Sequence, residues 1–353
     1  MFLSKTVSRL RSLRRKPEGI GILLLFFGGL GVVNGADPVL ERYEFVRPHM
    51  GTLFQVVLFA EEPKAARAAA DEAFARVEAL NACLSDYDPE SELMRLCRQP
   101  AGTLVPVSVS LFAVLTQSQA VADLTDGAFD VTVGPLVRLW REARRSGRFP
   151  RADQLESCRA ATGHDKLRLE NGSRVVTLKS PGMQLDLGGI AKGHAADEAL
   201  SLLAARGFSR AMVAASGDLA LGDPPPGTTG WKVEIVPFGR KSPARRTLLA
   251  SHVGISTSGD VEQYVEIDGV RYSHIVDPRT GIGLTAPLAV TVVARRAILS
   301  DSWSTACSVL GDEEARRAIE RVSEEPLFVI VHRRDGEATV PFGRPPPGLH
   351  FPL

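Results

Sequence analysis

The sequence predicts an α+β fold in which mixed and antiparallel sheets are flanked by helices. Three observations carry this reading. Two tight-turn signals, Asn171-Gly172 and Asp268-Gly269, each divide short runs of strand-forming residues, and such dipeptides supply the positive φ values of two-residue hairpin turns. Helical stretches lie between the hairpins instead of following every strand, which disfavours a doubly wound parallel sheet. No repeat of fixed period runs along the 353 residues, which sets solenoids and propellers aside.

The elements follow in order. Residues 54–59 are an apolar strand. Residues 63–84 are a helix, because Ala69, Ala73, Phe74, Val77, Leu80 and Leu84 recur at helical spacing. Residues 109–124 form a second helix, ended by Thr125-Asp126-Gly127. Residues 141–165 hold Arg141, Glu142, Arg144, Arg145 and Arg148 and read as a charged surface excursion. Residues 166–178 are a hairpin about Asn171-Gly172, and 191–205 a helix opened by Gly188-Gly189. Residues 210–215 are a strand, after which Ser216-Gly217-Asp218 turns. The prolines between Asp223 and Gly227 stiffen the loop before a strand at 231–236. Thr257-Ser258-Gly259 reads as a turn of small residues. Then come a strand at 288–294, helices at 300–310 and 313–322, and a last strand at 327–332. From Pro341 the chain is Pro-rich and reads as irregular.

Bulk properties bound the function. With 44% hydrophobic and 24% charged residues, the composition is that of an ordinary globular protein. The length suits one large domain or two lobes sharing a cleft. A net charge of +1 gives no electrostatic case for nucleic acid. Positive charge gathers at the front, where Lys5, Arg9, Arg11, Arg14, Arg15 and Lys16 precede an apolar run at 20–33. That order is a signal peptide's, with Val33-Asn34-Gly35 before a mature start at Ala36. The rival is an N-terminal membrane anchor, but the run falls short of the roughly 20 residues a spanning helix needs. The expected division is therefore 1–35 for targeting, 36–340 for the folded domain and 341–353 for a Pro-rich tail. The expected location is periplasmic, or attached to the outer side of a bacterial cytoplasmic membrane. Cys83, Cys97, Cys158 and Cys307 fit no zinc spacing. An oxidising compartment allows Cys83 to pair with Cys97; the alternative is four small buried hydrophobes.

Several segments can carry chemistry. In Leu185 through Gly193 a glycine-rich stretch opens a helix, which presents free N–H groups to phosphate. Lys192 adds a point charge. The block is neither a Walker A loop nor a Rossmann fingerprint, and Asp186 can also be read as an ordinary cap. Asp301 and Thr305 stand four apart on one helical face. Their oxygens suit Mg²⁺ over zinc, against the alternative that Ser300-Asp301-Ser302 caps a helix. Asp130 can be a site residue or an Asx turn, and Met50 a site residue or a core gap-filler. Tyr87 is an aromatic in a polar loop, which packing explains less well. Trp140 reads as core. His274 follows the Asp268-Gly269 hairpin and precedes Asp277-Pro278, a strand end where loops held by a scaffold place functional groups.

The blocks Met50-Gly51-Thr52, Leu84 through Tyr87, Thr125 through Leu136, Leu185 through Gly193, Ile255 through Gly281 and Asp301 through Gly311 occur in that order across residues 45–335. Together they resemble the FAD:protein FMN transferases, the ApbE-type flavin transferases. The resemblance implies a two-lobed fold with FAD in the cleft. It implies that Met50 and Tyr87 touch FAD, that Ala128, Phe129 and Asp130 line the flavin site, and that Asp186 and Lys192 bind FAD. Thr257, Ser258 and Ile275 would lie beside it. The Gly189 carbonyl, Asp301 and Thr305 would hold Mg²⁺; where some members have a second carboxylate, this chain has Ser304. His274 would be the catalytic base, with Asp277 the candidate to orient it. The implied reaction is Mg²⁺-dependent transfer of the FMN moiety of FAD to a Ser or Thr hydroxyl of an acceptor flavoprotein, with release of AMP. Exported acceptors are expected, such as subunits of membrane redox complexes. The competing readings are a FAD pyrophosphatase giving FMN and AMP, which needs the same groups with water as nucleophile, and a flavin-binding protein that leaves FAD intact.

The targeting segment carries the first prediction. N-terminal sequencing of the protein from its native host is expected to begin near Ala36. An intact Met1 in the soluble cytosolic fraction would contradict export.

Overall fold

Alternating burial along two paired strands starts the fold. In the computed structural model, which describes residues 39–238, 245–259, 263–322, 324–334 and 340–350, β1 (Glu41–His49) pairs antiparallel with β2 (Thr52–Ala60). The targeting segment lies outside those residues. Met50 and Gly51 turn the hairpin with φ of 48° and 72°, as a tight two-residue turn requires. Then α1 (Pro63–Leu84) begins with Pro in its first turn, where no intrahelical N–H is lost. It buries Ala66, Ala70, Phe74, Val77 and Leu80 on one face. Ser91 and Ser108 cap the next two helices, α2 (Glu92–Cys97) and α3 (Val109–Leu124), with β3 (Val105–Pro106) between them.

The charged stretch at 141–165 is mostly exposed, as expected, but it is not irregular. It is largely helical, in α4 (Gly134–Ser146) and α5 (Ala152–Ala160). Leu136, Leu139, Trp140 and Ala143 bury one face of α4, and its arginines occupy the remainder, as on any amphipathic helix. The apolar spacing begins before residue 141, so a window opened at the first charges misses it.

The hairpin β4 (Leu167–Glu170) and β5 (Val175–Leu178) forms where expected, and α6 (Ala191–Ala205) follows. Next come β6 (Ala211–Ala215) and β7 (Asp218–Leu221), joined through Ser216 at φ 59°. Then β8 (Trp231–Ile235), β9 (Arg246–Ala250) and β10 (Val253–Gly259) follow. Thr257, Ser258 and Gly259 are thus not a turn. They finish a strand and pair with Thr291, Val290 and Ala289. A second tight hairpin joins β11 (Tyr264–Ile267) to β12 (Val270–Ser273) across Asp268 and Gly269, at φ 51° and 78°. β13 (Val276–Asp277) and β14 (Ile282–Gly283) make a short ladder before β15 (Leu288–Ala294). α7 (Ala297–Glu320) breaks its helical backbone at Gly311, so the two expected helices are its halves. The chain ends with β16 (Phe328–Arg333), β17 (Phe342–Gly343) and β18 (Leu349–His350). The Pro-rich tail is therefore partly ordered: β17 pairs with β16, and β18 with β9.

The central sheet has the order β1-β2-β6-β7-β10-β15-β16-β17, antiparallel at every step. Helices α1, α6 and α7 pack on one face around Phe74, Leu80, Leu203 and Trp303. The β18-β9-β8 sheet contributes Trp231, Val233 and Leu248 to a second core, with Met212, Ile255 and Ile330 of the central sheet. A third, smaller core joins α4 to the β11–β12 hairpin through Leu136, Trp140, Val265 and Ile267. The architecture is the predicted α+β one. Among the described residues, no helix is long and apolar enough to cross a membrane. All four cysteines are free, so the Cys83–Cys97 pairing does not form. Cys97 is buried and its sulfur accepts the Leu185 N–H at 3.3 Å.

One contact fixes the helices to each other. A Cβ on Gly193 in α6 would stand 2.2 Å from the Ala297 carbonyl oxygen and 2.8 Å from Asp301 Cβ in α7. The side chain of Asp197, one turn along α6, accepts the Ala297 and Ile298 N–H groups at 2.8 and 2.9 Å, two of the donors a helix start leaves unpaired. Gly193→Ala is therefore expected to lower the melting temperature by an amount corresponding to about 1–3 kcal/mol. Gly172→Ala, with nothing within 4 Å of the added carbon, is expected to leave melting nearly unchanged. Equal melting of the two variants would contradict the close approach.

Candidate functional site

A cavity of about 740 Å³ opens where the ends of β10 and β12, the β1–β2 and β6–β7 turns and the start of α6 converge. Its size is within the usual range for small-molecule sites. Every site residue expected from the sequence lies in its wall. Met50, Tyr87 and the Ala128-Phe129-Asp130 segment contribute from the N-terminal half. Asp186, Gly189 and Lys192 come from the loop and first turn of α6, and Asp301 and Thr305 from α7. Thr257, Ser258, His274 and Ile275 close it from β10 and the end of β12.

The α6–α7 contact builds the polar floor. With no side chain at Gly193, its N–H reaches Asp301 Oδ2 at 2.9 Å. Lys192 Nζ stands 3.8 Å from the same oxygen, 3.1 Å from Asp218 Oδ2 and 3.0 Å from the Gly188 carbonyl. Asp301 is only 2% exposed. Burial, reinforced by the neighbouring Asp218 and opposed by Lys192, pushes its carboxyl up to about 7. For Lys192, burial alone would lower the pKa, but Asp218 and Asp301 outweigh it and hold the ammonium charged. Two buried carboxylates against one cation leave surplus negative charge, which a divalent ion would neutralise. Asp301 Oδ1 has no hydrogen-bond partner among the described residues. A Cβ on Gly189 would lie 2.9 Å from Thr305 Oγ1, so the bare Gly189 backbone sits directly against that hydroxyl. Carboxylate, hydroxyl and carbonyl oxygens are hard donors that suit Mg²⁺, which takes few protein ligands. No cluster of three or more His, Cys, Asp or Glu side chains able to cage a metal occurs among the described residues. Ser304 is buried and donates to the Asp301 carbonyl at 2.9 Å. It also meets Ser258 Oγ at 2.7 Å, and Ser258 lies 3.3 Å from Thr305 Oγ1.

Neither cap alternative describes these aspartates. α7 starts at Ala297, so Asp301 lies a full turn inside it. α6 follows Ile190, and Asp186 instead accepts the Gly188 N–H at 2.8 Å and pairs with Arg141 at 2.9 Å. For Asp130, the Asx-turn alternative describes the contacts: Oδ1 accepts from the Thr132 N–H at 2.8 Å and hydroxyl at 2.7 Å.

His274 is exposed, and its Nδ1 stands 3.1 Å from the Gln263 carbonyl oxygen. A carbonyl only accepts, so in the neutral ring Nδ1 carries the proton and Nε2 the lone pair. Asp277 does not orient this ring. Its carboxylate is taken by the Arg279 guanidinium, at 3.0 and 3.1 Å. Strand alternation separates Thr257 from Ser258. Ser258 faces α7, whereas Thr257 Oγ1 turns to Thr291 at 2.8 Å and through it to the buried His332.

Sequence reasoning missed two charged groups in the wall. From the sequence Asp218 is only the end of a turn, yet its strand is wholly buried and a buried carboxylate requires a partner. Arg141 falls in the stretch expected at the surface, yet its side chain is half-buried. It donates to Asp86 and Asp186 and lies under the Tyr87 ring, 4.2 Å from the centroid. The helical spacing of Leu136, Leu139, Trp140 and Ala143 would have found it. Trp140 serves both purposes: it is core in the third cluster and also reaches the cavity wall.

The sequence pattern of the ApbE family matches residues 50–329. Over 300 residues the chain is 32% identical to the FAD:protein FMN transferase of Salmonella typhimurium, covering 82% of this chain and 83% of that protein. The solved flavin transferase ApbE from Vibrio cholerae is similar at a TM-score of 0.76 and 29% identity, over 87% of this chain and 98% of that one. The apo form of the flavinyl transferase ApbE from Pseudomonas stutzeri gives 0.74 and 30%, over 88% and 96%.

The buried carboxylate makes a stability prediction. Asp301 titrates near about 3.9 when unfolded and at about 7 when folded. Between those values the folded state holds a proton that the unfolded state has lost, so this group's contribution to stability falls as pH rises from about 4 to about 7. Chelator-treated Asp301→Asn protein is expected to lose that slope and to melt a few degrees above the parent near neutral pH. The same slope in both proteins, followed by thermal unfolding across the range, would contradict the burial argument.

Proposed function

The chain belongs to the ApbE family of flavin transferases, and from that premise we propose that it moves the FMN moiety of FAD onto a Ser or Thr hydroxyl of an acceptor flavoprotein, with Mg²⁺ required and AMP released. The observation that carries this is one cavity holding half-buried Lys192 against buried Asp218 and Asp301, together with an exposed His274. The first suits a pyrophosphate, the second an incoming hydroxyl.

The residues divide the work as follows. The loop before α6 presents its N–H groups and Lys192 to the FAD phosphates, and Tyr87, Phe129 and Met50 give the rings apolar surface. A Mg²⁺ ion held by the Asp301 carboxylate, the Thr305 hydroxyl and the Gly189 carbonyl would neutralise the pyrophosphate and make its phosphorus more electrophilic. Nε2 of His274 takes the proton of the acceptor hydroxyl as its oxygen bonds to the FMN phosphorus. The bond from that phosphorus to the bridging oxygen breaks, and AMP departs with the oxygen. Positioning and charge neutralisation carry most of the acceleration in phosphoryl transfer.

Exposure of His274 favours a protein acceptor over water alone, since a folded partner can bring its hydroxyl to an exposed side chain but not to buried Asp301. The basic and apolar N-terminal run supports an exported acceptor, such as a subunit of a membrane redox complex.

The test compares parent and His274→Asn protein by AMP release from FAD. The variant is expected to keep FAD affinity within a few-fold and to lose about 10²–10⁴ in turnover, with a loss that shrinks at higher pH as hydroxide replaces the base. Joint loss of FAD affinity and melting temperature, with an unchanged pH profile, would assign His274 a structural role. Full activity after chelation would remove Mg²⁺ from the account.

A further inference from the structure

The ion-paired group around Arg141 is not used by the reaction just described. Two carboxylates, Asp86 and Asp186, are both largely buried and share this one guanidinium. They come from different parts of the chain. Asp86 belongs to the loop after α1, and Asp186 to the loop before α6. Burial, then the nearby Asp186, pushes the Asp86 carboxyl up, and Arg141 opposes both. The same guanidinium lies under the Tyr87 ring, 4.2 Å from its centroid. Tyr87 is 73% exposed. No hydrogen bond from its hydroxyl is formed among the described residues, so little else limits its rotation. An exposed tyrosine on a polar loop ordinarily loses rotamer freedom when a ligand fixes it. Stacking on a planar cation that is itself anchored at both ends removes that freedom beforehand.

We propose that Arg141 is a positioning residue that fastens the Tyr87 loop to the Asp186 loop and so presets the Tyr87 ring as a stacking surface for a ring system of FAD. This rests on the reading that FAD occupies the cavity. Arginine is required because a single group must meet two carboxylates and present a flat face at once; a lysine ammonium can pair but cannot stack as a plane. Arg141 acts through Tyr87 without touching the reacting phosphorus, so its loss should appear in KM for FAD far more than in turnover at saturation.

The experiment is a double-mutant cycle on FAD affinity, read by quenching of flavin fluorescence, with apo melting temperatures alongside. Arg141→Lys keeps the charge and is expected to weaken FAD binding about tenfold. In a Tyr87→Ala background the same change should have little further effect, because the ring it positions is gone. Arg141→Met alone strands two carboxylates and can fail to fold. Paired with Asp86→Asn it keeps the net charge of the group and leaves Asp186 the Gly188 N–H, so this double variant is expected to melt between Arg141→Met and the parent while still binding FAD about tenfold more weakly. Additive losses in the cycle would overturn the proposal. So would parent-like FAD affinity in the lysine variant, or a loss confined to turnover. Failure of the parent itself to bind FAD would bring down the reading of the cavity and this inference with it, whereas an intact parent with additive losses brings down this inference alone.

Discussion

The missing side chain at Gly193 governs how α6 and α7 meet. Any Cβ there would collide with the Ala297 carbonyl, and the helices would have to part. Their close approach brings a backbone N–H to buried Asp301 and places Lys192 beside it. Gly254 of β10 makes the same allowance from the other side, since a Cβ there would lie 2.3 Å from the Ala297 nitrogen. The start of α7 is thus wedged between two glycines and held by the Asp197 carboxylate. Once that register is set, the spacing of an α-helix carries Asp301 and Thr305 to the cavity.

The floor so formed is costly for the fold. Asp301 and Asp218 are buried together, and a single lysine faces both. A domain selected for stability alone would place apolar groups there. Carboxylates held near one another in a water-poor site are instead what binding a cation and a pyrophosphate requires, and sites of function commonly carry such a penalty. The opposite wall is made differently. His274 hangs from a short hairpin whose Tyr272 packs on Trp140 of α4 and on Phe149, the three rings meeting edge-on or tilted with centroids 5.0–5.6 Å apart. A buried floor and an exposed imidazole on a braced hairpin suit a reaction in which a small substrate is gripped and a large one approaches from outside.

Much of this is legible in the sequence where periodicity and punctuation agree. α1, α3 and α6 fall on the residues expected, because their apolar positions recur cleanly and glycine, proline or serine marks their ends. The β4–β5 and β11–β12 hairpins are found for the same reason, although the first turns through four residues, 171–174, and takes its positive φ at Arg174 instead of at Asn171-Gly172. β1 was not, since Glu41, Arg42, Glu44 and Arg47 break up the apolar pattern of a strand at the sheet edge. The end of β10 resembled a turn because Thr257, Ser258 and Gly259 are turn-forming residues. Their strand conformation comes from ladder partners far along the chain, which local reading does not supply. β17 and β18 are two residues each and carry no period at all. In the site, motif order placed every expected residue at one cavity. What it left out were the partners: Asp218 and Arg141 lie outside the motif blocks, Gln263 lies inside one with no role read for it, and all three are found only once strands and helices are in place.

The central claim is that this cavity carries the FMN moiety of FAD to a protein hydroxyl. Intact-mass spectrometry of an exported flavoprotein acceptor, after incubation with this protein, FAD and Mg²⁺, tests it most directly. The account predicts that the acceptor gains the mass of one FMN less one water, on a Ser or Thr, with one AMP released for each acceptor modified. An acceptor of unchanged mass accompanied by free FMN and AMP would contradict it, leaving a hydrolase in place of a transferase.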